Sequence, residues 1–334
     1  MNTLQPGAPR VSLGMPVYNG ANYLRCALDS ILAQTFQDWE LIICDNASTD
    51  ETQTICEEYA ARDPRIKYHR SSRNIGPSAN YNRTFELSRG EYFKWAAHDD
   101  VLEPTYLEKT IRVLDESPDV VLAYTDVVLI DEHGKPCRNY EFELAAVDSG
   151  SAMRRFASLI FVNHRQHRAT EIFGLMRSSA LRQTTLQGCY ARGDSVLLAR
   201  MALLGRFRKV REPLFLSREH SAQSMAQKPT GSRLEVVLRR WLGVGPIPPP
   251  EWWDSRLKGR IVWPEWKIAA EYWRSIWLIK LGLVGRILLT GCYVVWLIRH
   301  VPKLVRDLVF ALVRLLPRAS ASPGQVPRSA ESSL

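Results

Sequence analysis

A chain of 334 residues with 46% apolar content is long enough for one large globular domain with appendages, or for two domains. Its net charge of +9 is unevenly placed: residues 255–334 carry 13 Lys and Arg against 4 Asp and Glu, so the first 254 residues are neutral, and eight of the ten Trp lie at or beyond Trp241. With no zinc-ligand spacing, no long basic run and no aromatic ribonucleoprotein motif, this argues against nucleic acid and for an anionic membrane surface as the partner of the tail.

Residues 1–9 lack an apolar signal core and read as a flexible lead with nothing that directs export. Val11–Val17 is a short apolar run closed by Pro16 and Asn19-Gly20, a first buried strand. Asn22 to Gln34 carries Leu24, Ala27, Leu28, Ile31 and Leu32 at helical spacing. Trp39–Cys44 is a second strand, Thr52–Ala61 a helix, Ile66–His69 a third strand and Ser78–Leu87 a helix. A strand over 91–97 follows, carrying Tyr92, Phe93 and Trp95 and stopping at the adjacent acids Asp99 and Asp100. Glu103–Leu114 is again helical and Val120–Tyr124 again a strand. Strands alternating with helices of about ten residues predict a doubly wound, mostly parallel α/β sheet. Six cysteines, at 26, 44, 56, 137, 189 and 292, form no Cys-x-x-Cys pair, which suits a reducing cytosol.

Each early strand ends in polar residues: Tyr18-Asn19, Asp45-Asn46, Arg73-Asn74 and Asp99-Asp100. Singly, each is a turn or a helix cap. Together, at the carboxyl ends of one parallel sheet, they would assemble a crevice that holds a nucleotide. Two neighbouring carboxylates repel, and a hard divalent cation such as Mg²⁺ or Mn²⁺ resolves the conflict. Neither a dinucleotide fingerprint nor a P-loop occurs.

Four blocks carry a family resemblance: Met15-Pro-Val-Tyr-Asn19, Asp45-Asn-Ala-Ser-Thr-Asp50, Arg73-Asn74-x-Gly76 and His98-Asp99-Asp100. In that order and at those intervals, Val11 to about Leu114 resembles the inverting family 2 glycosyltransferases, which have the nucleotide-diphosphate-sugar-binding GT-A fold. The resemblance implies that Pro16, Tyr18, Asp45 and Asn46 contact base and ribose, that Arg73 and Asn74 lie near the donor, and that Asp99 holds the metal. Two positions depart from the pattern: Asn46 stands where a second Asp is commoner, and Ala97 where the first acid of Asp-x-Asp often stands. Asp99 and Asp100 must then carry the donor and metal contacts between them.

Residues 126–190 are less legible; Met153–Val162 reads as an amphipathic helix, Phe173–Arg177 as a strand, and His164 and Glu171 as loop residues first and acceptor contacts second. Asp194 opens a helix, where an acid can simply cap the positive end. By the resemblance it matches the general base. One carboxylate suffices, because a metal-bound nucleoside diphosphate already leaves well, unlike a glycosidase leaving group that needs its own acid. Arg211–Ser217 reads as a strand, followed by Arg218, a diphosphate candidate by its planar donors, and by His220, a candidate metal ligand.

The expected organisation is a GT-A domain over 10–228, with donor half 10–125 and acceptor half 126–228. A Pro-rich linker over 229–255, membrane-associated helices over 256–317 and a disordered tail over 318–334 follow. Ile276–Ile298 is long enough to span a bilayer, yet its thirteen Leu, Ile and Val, roughly −4 to −8 kcal/mol, barely offset roughly +5 to +7 for Lys280 and Arg286. Val301–Leu316 places Lys303, Arg306, Asp307 and Arg314 opposite Leu304, Val305, Leu308, Leu312, Leu315 and Leu316, the pattern of a helix lying on lipid. The sequence thus predicts a metal-dependent inverting transferase at the cytoplasmic face of the membrane, acting on a lipid-linked or membrane-borne glycan acceptor. A sugar-nucleotide pyrophosphorylase would need a Gly-rich loop after the first strand, where Met15-Pro-Val-Tyr-Asn-Gly20 stands. A membrane-tethered binder with a decayed site is the remaining alternative.

Overall fold

The computed structural model describes residues 7–221 and 250–315. Residues 1–6, most of the expected linker and the expected tail over 318–334 lie outside the described residues. In the described chain, nine strands form one mixed sheet. β1 (Val11–Val17), β2 (Trp39–Asp45), β3 (Ile66–Arg70) and β4 (Tyr92–Trp95) run parallel in the order β3-β2-β1-β4. β5 is Val101–Leu102, β6 Val120–Ile130, β7 Pro136–Tyr140, β8 Leu175–Arg177 and β9 Arg206–Arg218. Beyond β4 the order is β8-β6-β9-β5, with β6 and β9 parallel and β5, β7 and β8 antiparallel to their neighbours.

The helices are α1 (Ala21–Leu32), α2 (Thr52–Arg62), α3 (Pro77–Glu86), α4 (Tyr106–Glu116), α5 (Ala152–Ile160), α6 (Ser178–Leu181) and α7 (Gly193–Leu204), then α8 (Pro250–Trp253), α9 (Pro264–Leu278) and α10 (Leu283–Leu315). Because both sheet faces are covered, β1 and β2 are buried along their whole lengths, which is why they read as unbroken apolar runs. One face packs Leu13, Met15 and Tyr92 against Leu28, Tyr59 and Ile111 of α1, α2 and α4. The other packs Phe93 and Trp95 against Phe85, Phe156 and Leu197 of α3, α5 and α7. Gly14 lets α3 lie directly on β1, since a Cβ there would sit 2.4 Å from Thr84 Oγ1.

Several expected boundaries move for identifiable reasons. The helix expected from Glu103 begins at Tyr106, because Val101 and Leu102 pair with Leu216 and Phe215 of β9. The strand expected from Phe173 begins at Leu175, because Thr170–Phe173 forms a 3-10 turn. Ile276–Ile298 is not one helix: Ile279 ends α9 in an extended conformation and buries its side chain, and α10 starts at Leu283. α10 then continues through Pro302, fusing the two helices expected in the tail.

α9 and α10 pack on the α/β core. Ile268, Tyr272 and Ile276 of α9 and Leu289 and Trp296 of α10 join the same buried cluster as Phe156 and Leu197. Over 301–312 the polar side turns inward instead of outward: Asp307 accepts the Glu265 amide at 2.6 Å, Arg306 pairs with Glu265 at 3.2 Å, and Trp266 Nε1 donates to the Leu304 carbonyl. The exposed side chains of α10 are mostly apolar, with Leu283, Val284 and Ile298 the most open of them at 75%, 72% and 65%. Leu283–Leu312 is long and apolar enough to cross a membrane by length and composition.

Candidate active site

The carboxyl ends of β1, β2 and β4 open onto a cavity of about 730 Å³. Its walls come from Pro16–Gly20 after β1, Asn46 after β2, Asn74–Pro77 and Asn80–Tyr81 at the start of α3, and Ala97–Asp100 after β4, with Phe173, Ser217, His220, Glu251 and Trp252 completing them. Of the residues singled out from sequence, the fold therefore gathers Pro16, Tyr18, Asn46, Asn74, Asp99, Asp100 and His220 on one wall.

Asp45, Arg73, Asp194 and Arg218 are not on that wall. Asp45 is fully buried, and its carboxylate accepts from the Ser48 amide at 2.8 Å, Tyr68 Oη at 2.8 Å and Arg70 Nη1 at 2.6 Å. It braces the loop after β2 and turns no oxygen to the cavity. Asn46 donates to Asn74 Oδ1 at 2.9 Å and accepts the Ile75 amide at 2.8 Å, so its amide fastens the 74–76 loop while facing the cavity. Arg73 is exposed on that loop.

Arg218 is 3% exposed, and its guanidinium donates to the backbone carbonyls of Asp99 at 2.8 Å, Asp131 at 3.1 Å and Glu132 at 3.3 Å and stacks over Tyr23. With those partners it pins the acidic loop to the 131–132 turn and is not presented to a diphosphate. A sequence shows that an Arg is near a site, not which oxygens occupy its donors.

Asp99 Oδ2 and His220 Nε2 lie 3.0 Å apart, with the His220 ring packed on Tyr23 at 4.6 Å between centroids. His220 Nδ1 is buried and has no hydrogen-bond partner among the described residues. Asp100 accepts the Arg218 amide at 2.9 Å; burial, and then the charge of Asp99, push its carboxyl up to about 7. Carboxylate and imidazole side by side, with a second carboxyl next in sequence, are donor types that Mn²⁺ or Mg²⁺ takes. Among the described residues no group of three or more His, Cys, Asp or Glu is placed to hold a metal ion.

Asp194 is the second residue of α7, after Arg192 in a left-handed conformation, and its Oδ1 accepts the Ser195 amide at 2.7 Å. Burial raises its pKa, against the opposing pull of that amide and of His167. The link to the cavity is Tyr81: burial and then the fields of Asp99, Asp100 and Asp194 raise its phenol pKa, so one side chain on the wall is within electrostatic reach of all three acids.

Sequence reasoning missed Asn80, Tyr81, Lys94 and His167, the last buried against Glu171 at 2.8 Å. Lys94 left a visible signal, a cation inside an apolar strand. It is fully buried, donates to the Phe173 carbonyl, and burial pushes its pKa down to about 7.

The profile of glycosyl transferase family 2 matches residues 12–183, just over half the chain. The chain belongs to that family. An uncharacterized glycosyltransferase of Rickettsia typhi is 37% identical over 144 residues, 41% of this chain and 44% of that protein. An uncharacterized glycosyltransferase of Methanocaldococcus jannaschii is 32% identical over 137 residues, 40% of this chain and 47% of that one. This family 2 chain thus spans under half the length of these curated relatives. Among solved structures, S. aureus TarS 1-349 superposes with a TM-score of 0.52 at 16% identity, covering 91% of this chain and 87% of TarS. That likeness establishes the GT-A-type fold, in agreement with the sheet expected from sequence.

Proposed function

We propose that this chain is a metal-dependent inverting glycosyltransferase that moves a sugar from a nucleotide-diphosphate donor to a hydroxyl of a lipid-linked or other membrane-borne glycan. The observation that carries the reading is the convergence of Asp99, Asp100 and His220 on one cavity at the carboxyl ends of the parallel strands. In this reading Pro16, Tyr18, Asn46 and Asn74 line the nucleoside end, and Asp99 and His220, with Asp100 beside them, hold the cation. The cation, when bound, neutralises the charge of the departing diphosphate. Asp194, its pKa raised by burial, takes the proton of the acceptor hydroxyl during in-line attack on the anomeric carbon.

The membrane assignment rests on the tail. Arg286 lies over Trp277 at 5.2 Å and Arg299 over Phe161 at 5.1 Å, while the outward side of α10 is aliphatic. A helix with two cations laid over aromatic rings and its aliphatic stripe bare is suited to lipid, and the net charge of 255–334 favours an anionic, cytoplasmic leaflet. Asp99→Ala tests the site. It should abolish Mn²⁺-dependent binding of nucleoside diphosphate in titration calorimetry, and retained metal-dependent binding would move the cation elsewhere.

A further inference from the structure

The strongest feature that the proposed chemistry leaves unused is α8, which follows the undescribed residues 222–249 and yet forms part of the cavity wall. We infer that Trp252 belongs to the donor site and stacks on the nucleobase, together with Tyr18; this rests on the nucleotide-sugar reading.

Three observations converge. Glu251 and Trp252 line the same cavity as Pro16, Tyr18, Asn74 and Gly76. α8 is also seated tightly there. Gly76 has φ +88, and a Cβ on it would lie 3.0 Å from the Trp253 carbonyl oxygen, so only glycine lets the two backbones approach this closely. The Trp253 ring meets Trp252 edge-on at 4.5 Å between centroids, fixing the orientation of the indole.

The chemistry of the wall assigns the moiety. Asp45, the carboxylate that would otherwise address a base, is engaged by Ser48, Tyr68 and Arg70, and the Asn46 and Asn74 side chains are bonded to each other. With those edges committed, the faces of aromatic rings are what the wall offers, and Tyr18 is 47% exposed beside the cavity. Base stacking on an aromatic face needs no hydrogen-bond complement from the base.

The test uses the full chain in detergent micelles with Mn²⁺ and titrates five nucleoside diphosphates (UDP, GDP, ADP, CDP and dTDP) and inorganic pyrophosphate into wild type, Trp252→Ala and Trp252→Phe. Stacking predicts that Trp252→Ala raises the Kd of the bound nucleoside diphosphate roughly tenfold or more. Trp252→Phe should keep most of the affinity, and pyrophosphate should bind all three proteins alike. If wild type and Trp252→Ala bind nucleoside diphosphate equally, the inference fails while the donor reading stands. An equal loss of pyrophosphate binding in Trp252→Ala would likewise overturn stacking, since the ring would then be supporting the whole site. If wild type binds none of the five, the donor reading falls and the inference with it.

Discussion

Arg200 joins the helix of the proposed base to the tail, and replacing it is the sharpest probe of whether those parts are one body. It is fully buried on α7. Its Nε donates to Ser275 Oγ at 3.0 Å, while the two terminal nitrogens reach Thr185 Oγ1 and the Glu271 carboxylate. Arg200→Met keeps much of the side-chain length and removes all three donors. Losing one partner of a buried pair costs about 3–5 kcal/mol. Glu271 keeps Lys267 at 2.9 Å, and Ser275 still donates to the Glu271 carbonyl, so the lower end, about 3 kcal/mol, is expected. For 334 residues unfolding together, that is a drop of roughly 4 °C in Tm. Denaturant unfolding followed by tryptophan fluorescence gives the same free energy directly, and Arg200→Lys should recover only part of it because an ammonium cannot fork to three acceptors. Adding Glu271→Leu should make the double variant less destabilised than the sum of the single ones. A variant within 0.5 kcal/mol of wild type, or strictly additive effects, would refute the claim that α9 is stapled to α7 through this side chain.

Two further outcomes follow from burial and exposure. Lys94 has a folded pKa of about 7, below the 10.5 of an open chain, so the unfolded state binds the extra proton between about pH 7 and 10.5. Stability from this group therefore rises with pH across that window. Lys94→Met should be more stable than wild type near pH 7, with an advantage that shrinks by up to about 1.4 kcal/mol per pH unit toward pH 9.5; a pH-independent difference would contradict a buried, titrating lysine. Ile287→Glu with Ile298→Glu, at positions 61% and 65% exposed, should leave circular dichroism and Tm unchanged and release the protein from anionic vesicles in sedimentation. Undiminished vesicle binding would remove the lipid-facing role of α10.

The sheet was legible because burial on both faces writes itself as short unbroken apolar runs, as in Val11–Val17 and Trp39–Asp45. The polar residues at the strand ends were legible as a group for the same topological reason, and most of them do meet on one wall. What the sequence hid was commitment. Asp45 and Arg218 have the residue types of a donor site, but partners within the fold already bond the one's oxygens and the other's nitrogens. It also hid side-chain direction in the tail: helical spacing separated a polar from an apolar face at 301–316 but could not say which face met protein, and Glu265 of α9 decided it. Long-range additions such as Trp252, far in sequence from the rest of the wall, carry no local pattern at all.

The central claim, that Asp194 removes a proton at the cavity where Asp99 holds the cation, is tested most directly by sugar transfer with Asp194→Asn. The account predicts nucleoside-diphosphate and Mn²⁺ affinities within a few-fold of wild type and a kcat lower by roughly 10²–10⁴-fold. Turnover at the wild-type rate by Asp194→Asn, with donor still bound, would contradict it.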